Sequence, residues 1–191
     1  VHMKVKRYVV TPDKHFPLHD QKAINVLCKA IEIIKPEIYI DLGDTGEWDL
    51  FSNHHWRKYD KPPDDLLIPM LDKSVKQVNK GMDQIDEVLD NVKCNKRYFM
   101  QGNHEEWLDI YAKKYSRPRF LTQNALKLKE RGYEFHTYNK KIPLKIGKLN
   151  FKHGHRTGMH HAKAHLAMYG QSVMYGHTHD LQRHTHTSLG G

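Results

Sequence analysis

Five short stretches of this chain carry oxygen and nitrogen donors at spacings suited to a metal ion. They are Asp13-x-His15, Gly43-Asp44, Gly102-Asn103-His104-Glu105, His153-Gly154-His155 and Gly176-His177-x-His179. Carboxylate oxygen, amide oxygen and imidazole nitrogen together suit Mn²⁺, Fe, Zn²⁺ or Ni²⁺. A single Asp-x-His or His-x-His pair is more often a surface loop or a satisfied core histidine. Five in succession, each directly behind an apolar strand pattern, point to one shared site.

The strand patterns explain how such distant residues could meet. Ile38-Tyr39-Ile40-Asp41-Leu42 reads as a buried strand cut off by Gly43-Asp44. It delivers Asp44 to the carboxyl edge of a sheet, where α/β folds collect their ligands. Before it come a strand from Val5 to Val10 and a helix carrying Ala23, Ile24, Leu27, Ala30, Ile31 and Ile34, ended by Pro36. This β-α-β unit predicts a parallel, right-handed crossover. Lys96 to Met100 is the next strand, with helices expected near 105–115 and 121–131, the second stopped by Gly132. Residues 133–138 and 142–152 read as strands, the latter turning at Gly147-Lys148 and ending at His153. A helix near 160–169 precedes the strand Ser172 to Tyr175, and an alternating piece, Arg183 to Thr187, leads to Leu189-Gly190-Gly191. His160, His161 and His165 fall on that helix; His161 and His165 share an i, i+4 face that reads as solvated or as a place for adventitious metal.

Between the second and third strands lie a loop, 45–63, and a long helical segment, 64–92. From Leu71 the segment repeats every seven residues on average: Leu71, Val75, Val78, Met82, Ile85, Leu89 and Val92. That is a coiled-coil seam. It predicts one long helix lying across its own domain, with a helical hairpin or a homodimer contact as the alternative. Gly81 weakens the helix interior.

The chain of 191 residues predicts one domain, residues 4–191, with Val1-His2-Met3 reading as a cloning scar. With 38% hydrophobic and 28% charged residues it is polar for its size, so bound metal would contribute to stability. Its net charge of +9 favours anionic partners, nucleic acid foremost, or simply keeps the surface soluble. Cys28 and Cys94 lack metal spacing and read as buried thiols in a reducing compartment. No apolar run approaches ~18 residues and no signal peptide is visible, so membrane and secretory readings are set aside and a cytoplasmic protein is expected.

The five blocks, spanning residues 13 to 179 in order, resemble the signature blocks of the calcineurin-like metallophosphoesterases, in particular their small, cap-less, phage or prokaryotic type. The resemblance implies a four-layer α/β/β/α sandwich of two mixed sheets with a dinuclear metal site at the strand ends. It assigns Asp13, His15, Asp44 and His179 to one metal, and Asp44, Asn103, His153 and His177 to the other. Two dications about 3.5–4 Å apart repel unless a carboxylate such as Asp44 and a bridging hydroxide lie between them. The implied cofactors are two divalent ions, manganese first, with iron, zinc, nickel or magnesium also fitting. The resemblance places His104 on the leaving-group side as a proton donor, beside Asn103 in the substrate-binding region. Glu47 stands where the family usually has an Asp that orients this histidine, one methylene longer.

Two departures shape the functional expectation. The protein phosphatases of this superfamily follow that acid with an arginine that grips phosphate; here Trp48-Asp49 follows Glu47. Arg57 and Arg156 are the replacements the sequence offers. Only twelve residues follow His179, where the fold usually adds strands. Either the chain is cut short, or the sheet edge is covered by the 64–92 segment or by another subunit. Trp48, Trp56 and Trp107, with His54 and His55, could stack on a base or pack the loops. The reading is a metal-dependent phosphoesterase acting on a phosphodiester of nucleic acid or a nucleotide, a nuclease-like hydrolase. The alternatives are a phosphomonoesterase, including a phosphoprotein phosphatase, and a non-catalytic binding or scaffold module of the same fold.

Overall fold

A computed structural model describes residues 6–52, 62–138 and 142–186. The expectations placed on Val1-His2-Met3, on Val5, on His54, His55, Trp56 and Arg57, and on Thr187 and Leu189-Gly190-Gly191 lie outside the described residues.

The chain is mixed α/β with two sheets. In the first, β1 (Tyr8–Thr11), β2 (Ile38–Asp41), β3 (Lys96–Met100) and β4 (Tyr133–His136) lie in that spatial order. All are parallel, in register Val9 to Tyr39 to Arg97 to Tyr133. The expected two mixed sheets are corrected here: among the described residues only the second is mixed. There β5 (Leu144–Ile146) pairs antiparallel with β6 (Leu149–Lys152), and β6 pairs parallel with β7 (Val173–Tyr175). The Gly147-Lys148 turn makes the hairpin, as its sequence predicts. The 183–186 piece forms no strand, because no described strand pairs with it.

Alternation along the strands divides the core in two. Val9, Tyr39, Phe99 and Tyr133 pack with helix residues, whereas Ile38, Ile40, Tyr98 and Met100 pack with Phe151 of β6. Helix α1 (Gln21–Ile34) starts on Asp20, whose carboxylate accepts from the Lys22 amide at 2.8 Å, and buries Ile24 and Ile31. Helix α2 (Asp64–Asn91) turns its seam inward: Leu71, Val78, Met82, Ile85 and Leu89 are buried in the chain's own core. Arginines lock it there, Arg117 on Asp64, Arg119 on Asp72, Arg131 on Asp83 and Asp86, and Arg97 on Asp86 and Asp90. The single helix replaces the hairpin expected as the alternative, and the apolar seam is covered by the chain's own core. Gly81 has a packing reason. A Cβ there would sit 2.3 Å from the Phe16 ring, so the glycine lets α2 close on the residue that follows His15.

Helix α3 (Asn103–Lys114) begins directly behind β3. The expected helix at 121–131 is only one turn, α4 (Thr122–Ala125), before turns lead to Gly132. Helix α5 (His161–Tyr169) precedes β7. His161 and His165, expected on a solvated face, are 4% and 0% exposed, because α5 packs that face against the loops around the second sheet. Among the described residues no helix is long and apolar enough to cross a membrane.

Candidate metal centre

All five blocks meet at the carboxyl ends of the strands. On one side His15 and His179 approach through their Nε2 atoms at 3.1 Å, with Asp13 Oδ1 3.9 Å from His179 Nε2. On the other, His153 Nε2 lies 3.0 Å from both Asp44 Oδ2 and Asn103 Oδ1, and 3.2 Å from His177 Nδ1. Donor atoms of Asp13, His15 and His179 form one group within 4.8 Å, and those of Asp44, His153 and His177 form another. Asp44 also groups with His15 and His104, so it touches both sides.

The protons decide what these groups can hold. His153 Nδ1 lies 2.9 Å from the Leu42 carbonyl and donates to it. Its Nε2 faces a carboxylate oxygen, an amide oxygen and a second imidazole; without a metal, the Asp44 carboxylate favours a proton on that nitrogen, which a bound cation would replace. His15 Nδ1 donates to Glu47 Oε2 at 2.9 Å, which leaves its Nε2 lone pair facing His179. In both groups lone pairs converge in excess of protons, which fits two divalent cations bound by nitrogen and oxygen.

Burial would raise the Asp44 pKa, but the hydrogen bond and charge of His153 prevail and hold it at about 2. Burial and the neighbouring His153 charge depress His177 to about 4, so its ring is a neutral donor. Asp13 is pushed up, chiefly by burial, with His153 opposing.

The donors are held in costly backbone conformations. Asp13, His15, Asp44, His177 and His179 have φ of 50°, 48°, 49°, 79° and 55°, a left-handed region that non-glycine residues enter rarely. Such strain, of order 1–3 kcal/mol per residue, persists only where neighbours enforce it. The enforcing contacts are specific. The amides of Asp13 and His15 donate to the carbonyls of Gly43 and Asp44, each at 3.0 Å. The His177 amide donates to Asp13 Oδ2 at 2.8 Å. Lys14, between two donors, reaches down to Asp41 at 2.7 Å in a buried ion pair. A Cβ at Gly102 would lie 2.1 Å from Asp44 Oδ1, so only glycine lets α3 start this close to the Asp44 carboxylate.

Glu105 ties these loops together and had no role in the sequence reading. Fully buried, it accepts from Asp44 N at 2.8 Å and Gly102 N at 3.0 Å on one oxygen, and from Thr45 N at 2.9 Å and Gly46 N at 3.1 Å on the other. A Glu three residues behind a helix-starting Gly102 is a capping-box signal that could have found it.

His104 stands at the rim. Its Nδ1 lies 3.2 Å from Glu47 Oε1 and 3.3 Å from the Trp48 amide. One nitrogen cannot both donate to the first and accept from the second; the carboxylate decides for donation. Burial pulls the His104 pKa down, but the Glu47 hydrogen bond and the Asp44 and Glu47 charges outweigh it and raise it above the ordinary histidine value. Glu47 itself is held well below the usual carboxylate range; burial opposes this, and hydrogen bonds from His104 and His15 overcome it. The longer acid thus reaches His104 and bridges it to His15.

A cavity of about 430 Å³ opens at this rim, lined by His15, His104 and His179 together with His19, Asp20 and Asp49. Trp107 lies against His104 with ring centroids 4.5 Å apart. Trp48, expected as a stacking surface or as packing, is 1% exposed and belongs to the core. Arg156 is exposed and lines no part of this cavity. No protein-family model matches the sequence, and no curated protein matches it.

Proposed function

We propose that this chain is a metal-dependent phosphoesterase that hydrolyses a phosphodiester, with nucleic acid or a nucleotide as the substrate class, in the manner of the calcineurin-like metallophosphoesterases its motifs resemble. The observation that carries this reading is the convergence of lone pairs from Asp13, His15 and His179 beside those from Asp44, Asn103, His153 and His177. Helix residues on one face of the first sheet and β6 on the other support the four-layer arrangement.

Asp13, His15, Asp44 and His179 would hold one divalent ion, and Asp44, Asn103, His153 and His177 the second. When bound, such a pair polarises phosphoryl oxygens and acidifies water near neutral pH. The chain's own residues supply the rest. His104, protonated and held through Nδ1 by Glu47, has Nε2 left to donate to the departing alkoxide oxygen. Asp44 Oδ1 accepts from the His104 amide at 3.0 Å, which fixes that proton donor to the shared carboxylate.

Diester preference rests on charge. Among the described residues no arginine lines the cavity and Lys14 is committed to Asp41, so no guanidinium or ammonium group there is free to grip a dianionic monoester. Elemental analysis of the purified protein, with bis(p-nitrophenyl) phosphate and p-nitrophenyl phosphate compared under Mn²⁺, tests the reading. About two metal ions per chain and faster diester cleavage are expected. Faster monoester cleavage would make it a phosphomonoesterase, and bound metal without turnover would make it a binding module.

A further inference from the structure

Helix α5 contributes no expected metal donor, yet it contacts both histidine-bearing loops of the second sheet. His161 Nδ1 lies 2.6 Å from the Tyr175 hydroxyl, and its Nε2 lies 3.1 Å from Asp180 Oδ2. With Asp180 ionised, Nε2–H donates to the carboxylate and Nδ1 accepts from the phenol. Tyr175 and Asp180 bracket the segment Gly176-His177-Thr178-His179, so one imidazole grips both ends of the loop that presents His177 and His179. One turn later, His165 Nδ1 donates to the His161 carbonyl at 2.9 Å, and its Nε2 accepts from the His155 amide at 3.2 Å. His155 is two residues from His153, so the same helix also fastens the second loop.

The grip answers a mechanical need. His177 and His179 both sit at positive φ, and the loop lies behind a strand of only three residues at the outer edge of its sheet. The ladder alone gives such a loop little restraint. A buried side chain that closes the loop supplies it, as outer-shell partners do in metal sites generally.

We infer that His161 is a positioning residue for the metal centre: through Tyr175 and Asp180 it holds the 176–179 loop in the conformation that presents His177 and His179. The inference rests on the metal-centre reading above. It differs from that reading in what it puts at risk, since His161 touches no expected ligand atom of either metal.

The test is Mn²⁺ affinity, measured by competition with a chelating dye on the full chain, beside the thermal midpoint of the chelator-treated protein. His161→Ala is expected to weaken Mn²⁺ binding about 10–100-fold. Asp180→Ala, at a carboxylate 54% exposed and therefore tolerant of truncation, is expected to weaken it about 10-fold. Asp180→Asn keeps an oxygen acceptor for Nε2–H and is expected to restore near wild-type affinity. His160→Ala, at an exposed neighbour, should change nothing. A wild-type chain that binds no Mn²⁺ overturns the metal centre itself. A wild-type chain that binds two ions, with His161→Ala and Asp180→Ala binding them as tightly, overturns the positioning role alone. A lowered thermal midpoint with unchanged affinity would likewise make His161 a stability residue and nothing more.

Discussion

Glu105 holds Asp44 by its backbone: the carboxylate accepts the Asp44 amide at 2.8 Å across 61 positions of sequence. A second, buried acid thus fixes the Asp44 main chain, while its side-chain oxygens turn to the His104 amide and to His153. Because the same acid takes the amides of Thr45, Gly46 and Gly102, the loops behind β2 and β3 form one unit. Glu105→Ala would leave four amides without their acceptor. It is expected to cost about 3 kcal/mol or more, measured by urea denaturation of the metal-free protein.

Asp44→Asn removes the charge that faces His15 and His104 on one side and His153 and His177 on the other, while keeping the side chain's size. Metal content and phosphodiesterase activity should fall together, read by elemental analysis and by turnover of the diester substrate. Full metal content in this variant would show that Asp44 is not shared.

His104→Ala should separate binding from chemistry. Metal content is expected to stay at the wild-type level while turnover drops about 10²–10⁴-fold, most for esters with poor leaving groups. A series of aryl phosphodiesters with graded leaving-group pKa checks this.

Glu47→Gln tests the link from Glu47 to His104. Glu47 helps raise the His104 pKa, and a general acid works only while protonated. Activity should therefore fall as pH rises through that pKa, and removing the Glu47 charge should move this alkaline limb to lower pH. A pH–rate profile that shifts upward or stays in place would disconnect the two residues.

Lys152 offers a test on stability. It is 2% exposed, its Nζ has no hydrogen-bond partner among the described residues, and burial depresses it from 10.5 to about 8. The unfolded chain thus binds more protons than the folded one between about pH 8 and 10.5, so stability is expected to rise with pH across that window. Lys152→Met should stabilise the metal-free protein at pH 7 by about 1–3 kcal/mol and flatten that dependence. Denaturation midpoints at pH 7, 8.5 and 10 supply the measurement.

What the sequence determined by itself was local. Apolar strand patterns ending on Gly-Asp, Gly-Asn-His or Gly-His place a donor just past a strand, because strand length and its breaker lie within a few residues of each other. The turn at Gly147-Lys148 and the length of α2 were legible for the same reason. Tertiary structure decided what covers each face and which polar groups pair. The rhythm from Leu71 to Val92 marks an apolar seam but not its partner, and here the partner is the chain's own core. His161 and His165 carry the spacing of a solvated face, yet the loops they hold lie beyond any local window. Burial of Trp48 and the four amides on Glu105 depend likewise on segments brought together only by folding. His15 meets His179 across 164 positions, and no short-range pattern encodes a contact between loops that follow strands of two different sheets.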